Sequence, residues 1–461
     1  MQKFNHAILF IIDDVRADQF FDLVEKGYLK NISEYLTDGL YCKNCITTFP
    51  TITVPAHTTI LTGQYPDGYD VPLLKWVDRN YAKLTEIDYT KGIIGLEIND
   101  HMNRSVKTIY ELVNGNTFSA FEFLFRGATR DFGFNRQEFF TSLDKPVINS
   151  FLNPSDYFEE NEAPKFCACW YFDSDVILHE YGSESDTYLK SLRKIDRYIG
   201  RIIKKLKENN YFDDTLFIIT SDHGNYTANV QRDLSSSLEK FGLIRNKDYW
   251  GEFGGVGFFN FKEENDWRQR ASYDKMTKYG PNKVNIFETI LNLDGVQQIY
   301  YRDGDCRKDK GIIQLKSHDG EGIIEYDNGK TKYSYEKNDL FGYEKDPKAS
   351  KLLDGKFHSI DEWLEHTYHI DNPIIVDQLP RFLNIDKRSV DIVAVTDAKT
   401  VYHHLFSHDV CHRNTMNVPL IMSGKGLEKK EIPFAKTSDI TPTILKFLGE
   451  KIDSMVGKPL I

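Results

Sequence analysis

Three continuous apolar runs in this chain end in residues that bind metal ions or carry protons. Ile8 to Ile12 (ILFII) runs into Asp13-Asp14, Phe166 to Phe172 (FCACWYF) into Asp173, Asp175 and His179, and Leu216 to Thr220 (LFIIT) into Ser221-Asp222-His223. Runs without polar alternation read as strands buried on both faces. In open α/β sheets, ligands bind beyond the carboxyl ends of the strands. One acid after a strand is ordinarily a helix cap or turn residue. Three such ends, two with a histidine nearby, point to a shared metal site. A further stretch adds a hydroxyl: Thr53-Val54-Pro55-Ala56-His57-Thr58-Thr59, continuing to Gly63. Pro55 suits the opening of a helix, which puts Thr53 at its N-terminus. Free N–H groups and the helix dipole favour an anion there. Thr53 reads either as an N-cap or as a nucleophile whose hydroxyl is deprotonated on a metal ion.

The elements that must position these residues alternate. A helical pattern covers about 17–36, and Leu40 to Thr48 (LYCKNCITT) is strand-like. The clearest helix is 186–208, with Leu189, Leu192, Ile195, Ile199, Ile202, Ile203 and Leu206 on one face. VDIVAV (Val390 to Val395) reads as a fourth buried strand, followed by VPLIMSG and a helix in TSDITPTILKFLG. Strands alternating with helices predict an α/β sandwich with a mostly parallel central sheet. Between about 231 and 387 the text turns rich in Gly, Lys, Asp and Tyr, with a hairpin signal at Asp327-Asn328-Gly329. The 184 residues between His223 and His408 exceed any loop expected in a compact domain. The organisation expected is therefore an α/β domain over 1–230 and 388–461, interrupted by an α+β cap subdomain over 231–387.

Size and composition agree with that division. At about 150 residues per domain, 461 residues make roughly three units or one large domain with an insertion. An apolar fraction of 40% with 28% charged residues excludes a mainly disordered chain. No apolar run approaches the ~18–20 residues of a membrane helix, so no membrane partner is expected. The opening MQKFNHAILFIIDD has a short apolar core ending in two aspartates, which is not a signal peptide, and a cytoplasmic location is expected. A net charge of −11 disfavours long nucleic acid, whose phosphates need Lys and Arg, but not a small phosphorylated substrate held by metal ions. Six cysteines are too sparse for a disulfide framework. Cys42 with Cys45 and Cys167 with Cys169 read as core thiols, or alternatively as zinc or redox pairs. Oligomeric state has no signature in the sequence.

Together these motifs resemble the alkaline phosphatase superfamily, most closely its type I phosphodiesterase/nucleotide pyrophosphatase branch, over about 5–230 and 388–461. The first aspartate of D-x-x-R matches Asp13, and the nucleophile of P-T-x-T-x-P-x-H matches Thr53. The D-x-x-x-H pair matches Asp175 and His179, S-D-H-G is present as Ser221 to Gly224, and the late histidine ahead of V-P-L-I matches His408, ten residues before Val418. His412 is also placed to bind from spacing alone, but is expected at the cleft rim, where it could meet substrate. The resemblance implies a three-layer, alkaline-phosphatase-like fold and two divalent metal ions, zinc or alternatively manganese. One would take Asp175, His179 and His408, the other Asp13, Asp222, His223 and the Thr53 oxygen. It implies hydrolysis of phosphodiester, phosphonate or nucleotide pyrophosphate bonds through a phospho-threonine.

The chain departs from the family pattern at three places. Tyr69-Asp70 stands for H-G. Leu74 stands where nucleotide pyrophosphatases have a phosphoryl-binding asparagine, with Lys75 beside it to supply positive charge or to lie in solvent. Asp409 follows His408 in place of glycine. These positions, the loops of 70–165 and the insertion bear on the substrate rather than the reaction. His403 and His404 read as structural. Within the superfamily, a phosphotransferase or mutase is an alternative. A sulfatase-like enzyme is another, although Thr53 cannot give the formylglycine that sulfatases use. The non-enzyme alternative is a metal-stabilised binding protein with a dead site.

Overall fold

The computed structural model describes residues 3–91, 96–133, 142–304 and 306–461. Parts of the 70–165 loop region, 92–95 and 134–141, lie outside the described residues. The chain builds a mixed α/β structure on a large central sheet. Its strand order is Lys430–Glu431, Gly39–Ile46, Asn417–Ser423, Thr215–Thr220, His6–Ile12, Phe166–Tyr171, Thr117–Ala120 and Arg130–Phe132, with Ala435–Lys436 also pairing to Gly39–Ile46. From Thr215–Thr220 to Arg130–Phe132 every neighbouring pair is parallel, and Asn417–Ser423 runs antiparallel to both of its neighbours. His6–Ile12 alternates between two apolar layers: Ala7, Leu9 and Ile11 on one face, Ile8, Phe10 and Ile12 on the other. Helices cover both faces, as a sheet without polar alternation requires.

The long helix Asp186–Glu208 forms where its apolar stripe predicts, with Ser185 capping it through the Tyr188 N–H. The continuous helix expected over 17–36 is instead two, Ala17–Glu25 and Lys30–Tyr35. Gly27, at φ +66°, sits just past the C-cap Lys26 and ends the first, as a left-handed glycine does. All six cysteines are free and buried.

A second sheet of nine strands is antiparallel throughout. Its order is Tyr249–Phe253, Val256–Glu263, Ile392–Thr396, Val296–Asp303, Lys310–Ser317, Glu321–Asp327, Lys330–Glu336 and His358–Ser359, with Asp266–Arg270 pairing to Val256–Glu263. The hairpin signal is realised, with Asn328 at φ +50° and Gly329 at φ +77° between two paired strands. One expectation is corrected. The apolar strand of 390–395 does not extend the central sheet; Ile392–Thr396 pairs within the second sheet, between Val256–Glu263 and Val296–Asp303. The second sheet therefore takes a strand from beyond the boundary expected at 387. A doubly buried strand carries the same apolar text whichever sheet it joins, so the run could not say which. The hairpin of Lys75–Val77 and Glu86–Asp88 is pinned to this sheet by the fully buried Arg79, whose guanidinium donates to Trp267 O (3.1 Å), Phe261 O (3.1 Å) and Asp391 Oδ2 (2.6 Å).

Candidate active site

The three metal-type strand ends converge because their strands are neighbours: His6–Ile12 lies between Thr215–Thr220 and Phe166–Tyr171, all parallel. Asp13 and Asp222 leave the sheet directly, while Asp175 and His179 stand one turn apart on the helix Asp173–Tyr181. The loop that follows Phe406–Ser407 brings in His408. His179 Nε2 lies 3.2 Å and His408 Nε2 3.8 Å from Asp175 Oδ1. His223 Nε2 lies 3.2 Å from Asp222 Oδ2 and 3.6 Å from Asp13 Oδ1, and its ring stacks on His408 at 3.8 Å. Two sets of donor atoms fall within 4.8 Å of one another: Asp175, His223 and His408, and Asp13, His57 and Asp222. His223 thus joins the two halves of the site. His57, to which the sequence analysis gives no role, stands in the second set.

Thr53 opens the helix Thr53–Thr62, but it is not the cap. Ile52 takes that position in extended backbone, and no side chain caps the helix. Pro55 has no N–H and Ala56 N donates to Ile52 O, which leaves the N–H groups of Thr53 and Val54 for an anion. The partly exposed Thr53 places Oγ1 3.4 Å from His223 Nε2.

The surrounding groups aim the donors. His179 Nδ1 donates to Phe406 O (2.8 Å) and His408 Nδ1 to Thr51 O (2.7 Å). A carbonyl only accepts, so Nδ1 carries a proton and Nε2 is the nitrogen turned toward the carboxylates, the arrangement that orients metal-binding imidazoles. Trp170 Nε1 donates to Asp13 Oδ2 at 2.8 Å. The other oxygen, Asp13 Oδ1, has no hydrogen-bond partner among the described residues, nor do Asp175 Oδ1 and Asp222 Oδ2, and all are buried. Buried polar atoms are otherwise almost always paired. Three carboxylates each offering one such oxygen, beside imidazole nitrogens, fit divalent cations of the zinc or manganese type.

Electrostatics shows the same crowding. Burial raises the Asp13 carboxyl well above its ordinary range, helped by Asp222 and Asp175. Burial also raises Asp14, next in sequence and at φ +58°, to about 7. Burial works against the charged form of His179, yet the Asp175 carboxylate 3.2 Å away outweighs it and pushes the ring up to about 9, so that a cation at Nε2 would take the place of a proton there. Burial and the neighbouring His223 push His408 down to about 3.

Behind the site stands a group absent from the sequence reading. Glu122, fully buried, accepts from His57 Nδ1 at 2.8 Å, and His57 Nε2 faces Asp222 Oδ2 at 3.5 Å. Burial opposes a charged His57, but Glu122 and Asp222 together hold it up at about 9.

A cavity of about 240 Å³ adjoins the donors, lined by His179 and His408, by Leu74 and Lys75, and by Glu252, Phe253 and Phe258 of the second sheet. Lys75 lies 4.0 Å from Asp88, which is paired more closely with Lys91 at 3.1 Å. The cavity is lined also by the exposed His403 and His404. His412 is not on its wall. It lines another cavity with Arg16, Glu184, Tyr226 and Asn414. Asp409, the residue in place of glycine, is buried and accepts from Gly255 N (3.0 Å) and Tyr226 OH (3.2 Å), tying the His408 loop to the start of Val256–Glu263.

Fold and site together define an α/β protein with a cluster of carboxylate and imidazole donors at adjoining strand ends, beside a hydroxyl at a helix start. The chain belongs to the type I phosphodiesterase/nucleotide pyrophosphatase family, whose sequence model matches residues 7–409. It is similar to an uncharacterised pyrophosphatase/phosphodiesterase of Schizosaccharomyces pombe, at 24% identity over 60% of this chain and 56% of that one. It is also similar to ectonucleotide pyrophosphatase/phosphodiesterase family member 1 of Homo sapiens, at 27% identity over 47% of this chain and 23% of that one. A venom phosphodiesterase of Crotalus durissus collilineatus matches at 24% identity over 47% and 26%. The chain thus spans from about a quarter to just over half the length of these relatives.

Proposed function

We propose that the protein is a two-metal phosphoesterase that hydrolyses phosphodiester, phosphonate or nucleotide pyrophosphate bonds through a phospho-Thr53 intermediate. The observation that carries this reading is the position of the Thr53 hydroxyl, uncapped at its helix start and 3.4 Å from His223, against three buried carboxylate oxygens without partners. In this reading Asp175, His179 and His408 hold one ion, and Asp13, Asp222, His223 and Thr53 the other. Two such ions, zinc or manganese, supply the charge that favours a deprotonated hydroxyl and a departing oxygen anion. Thr53 Oγ1 attacks phosphorus, and the bond to the leaving oxygen breaks with its electron pair. The N–H groups of Thr53 and Val54 face the charge gathered on the phosphoryl oxygens. Water then attacks phosphorus, the Oγ1–P bond breaks, and Thr53 is restored. Lys75 supplies positive charge at the substrate cavity, where Leu74 offers no amide. The second lobe acts as a cap over a three-layer α/β/α domain, since residues of both line the cavity.

The family membership and the names of the relatives support the reaction class. The test is Thr53→Ala. Turnover should fall at least about 10³-fold with most of the metal retained, because protein ligands remain around that ion. Substantial residual activity would make Thr53 a structural residue.

A further inference from the structure

We infer that Asp14 is a positioning residue for His223: its carboxylate accepts from Nδ1–H of that ring and leaves Nε2 for the ion shared with Asp13 and Asp222, which rests on the two-ion reading above. The imidazoles of the site differ in how their second nitrogen is held. His179 and His408 donate from Nδ1 to backbone carbonyls, Phe406 O at 2.8 Å and Thr51 O at 2.7 Å. His223 has no such carbonyl. Its Nδ1 is buried and has no hydrogen-bond partner among the described residues, and Asp14 Oδ1 lies 3.7 Å from it. Both oxygens of Asp14 are likewise buried and without a hydrogen-bond partner among the described residues. A gap of 3.7 Å exceeds a hydrogen bond, and a shift of under about 1 Å in either side chain closes it.

The backbone is built to hold that carboxylate in place. Asp14 stands at φ +58°, a region costly for a residue with a Cβ. Three groups keep it there: Asp14 N donates to Asp222 Oδ1 (3.2 Å), and Asp14 O accepts from Tyr188 OH (2.8 Å) and Asn225 Nδ2 (3.1 Å). None of these bonds uses the side chain. A fully buried carboxylate on left-handed backbone, with no hydrogen bond of its own, costs stability and returns none. An imidazole that must ligate through Nε2 gives it a purpose. A carboxylate only accepts, so it keeps the proton on Nδ1, orients the ring and makes Nε2 a stronger donor to a cation. That nitrogen faces the assigned ligands: Asp222 Oδ2 at 3.2 Å, Thr53 Oγ1 at 3.4 Å and Asp13 Oδ1 at 3.6 Å.

Holding the fold and aiming the ring predict opposite results for Asp14→Gly. Glycine takes a left-handed φ without strain, and the unpaired carboxylate is removed. Urea unfolding of the metal-free full chain should therefore give a midpoint equal to or above that of wild type. Competition for Zn²⁺ against a chelator of known affinity should show one of two zinc equivalents held about 10–100-fold more weakly. Asp14→Asn keeps an oxygen that accepts from Nδ1–H and should recover most of that loss. Wild-type zinc affinity in Asp14→Gly would overturn the positioning role. A lower unfolding midpoint for metal-free Asp14→Gly would also overturn it, by making Asp14 a structural residue. Asp14→Asn as weak as Asp14→Gly would overturn the hydrogen bond to His223. A wild-type protein that binds no zinc would overturn the two-ion reading, and the role of Asp14 with it.

Discussion

Replacing Glu122 by glutamine keeps the shape of the side chain and removes one charge from a water-excluded row. Glu122 is 3% exposed and His57 is fully buried, so solvent cannot take over the lost interaction. The 2.8 Å contact between Glu122 Oε2 and His57 Nδ1 is charge-assisted, because His57 is held protonated up to about 9. Hydrogen bonds of that kind contribute about 1.5–3 kcal/mol, and Glu122→Gln should destabilise the protein by an amount in that range. His57 would keep Asp222 as its single anionic neighbour, and Asp222 would lose part of what orients it. Outer groups that orient metal ligands are worth about 10–100-fold in metal affinity, or about 1.4–2.7 kcal/mol. Two assays read these effects: urea unfolding of the metal-free protein, and competition for Zn²⁺ against a chelator of known affinity. The pH dependence has a definite sign. The folded-state value of His57 lies above its unfolded 6.5, so its contribution is present below about 6.5 and is lost as pH rises through about 9. Glu122→Gln should flatten that loss. Unfolding midpoint and zinc affinity both equal to wild type would refute the reasoning and leave Glu122 a bystander.

His408→Ala should lose metal and activity together, whereas His412→Ala, on the wall of a different cavity, should lose neither; the reverse pattern in elemental analysis would overturn the ligand assignment. Diester and phosphonate-ester hydrolysis should exceed that of p-nitrophenyl phosphate and p-nitrophenyl sulfate in kcat/KM, and a tenfold preference for the monoester would count against the diesterase reading. Asp144 takes both hydrogen bonds of the Arg201 fork, at 2.6 and 2.8 Å, and its carboxyl is held below the ordinary range: burial opposes this, but Arg201 outweighs it. Its contribution is therefore present above about pH 4 and lost as pH falls through the folded-state value. With Arg201 half exposed, Asp144→Asn should remove about 1 kcal/mol at neutral pH and almost none at low pH, as read by urea unfolding.

Much of the site was readable because it is written at strand ends. Asp13, Asp222 and His223 directly follow apolar runs, and the structure sets those runs side by side. Asp175 and His179 share a helical face by spacing alone. Glu122 was not readable. It follows Phe121, a left-handed residue at φ +61°, in the text FEFLFRG, and nothing local marks a glutamate that meets its partner 65 positions away. His57 stood inside a noted motif, but its neighbours lie on other elements. The membership of Ile392–Thr396 was hidden for a different reason: burial on both faces erases the alternation that distinguishes one sheet from another.

The central claim is that phosphorus passes through Thr53, and the stereochemistry at phosphorus tests it most directly. A phosphorothioate diester of a single configuration, hydrolysed in heavy-oxygen water, gives a chiral thiophosphate product whose configuration reports the number of displacements. Attack by Thr53 followed by attack by water inverts phosphorus twice, so the account predicts net retention, whether or not the intermediate accumulates. Net inversion would mean that water attacks the substrate directly, and would contradict the account.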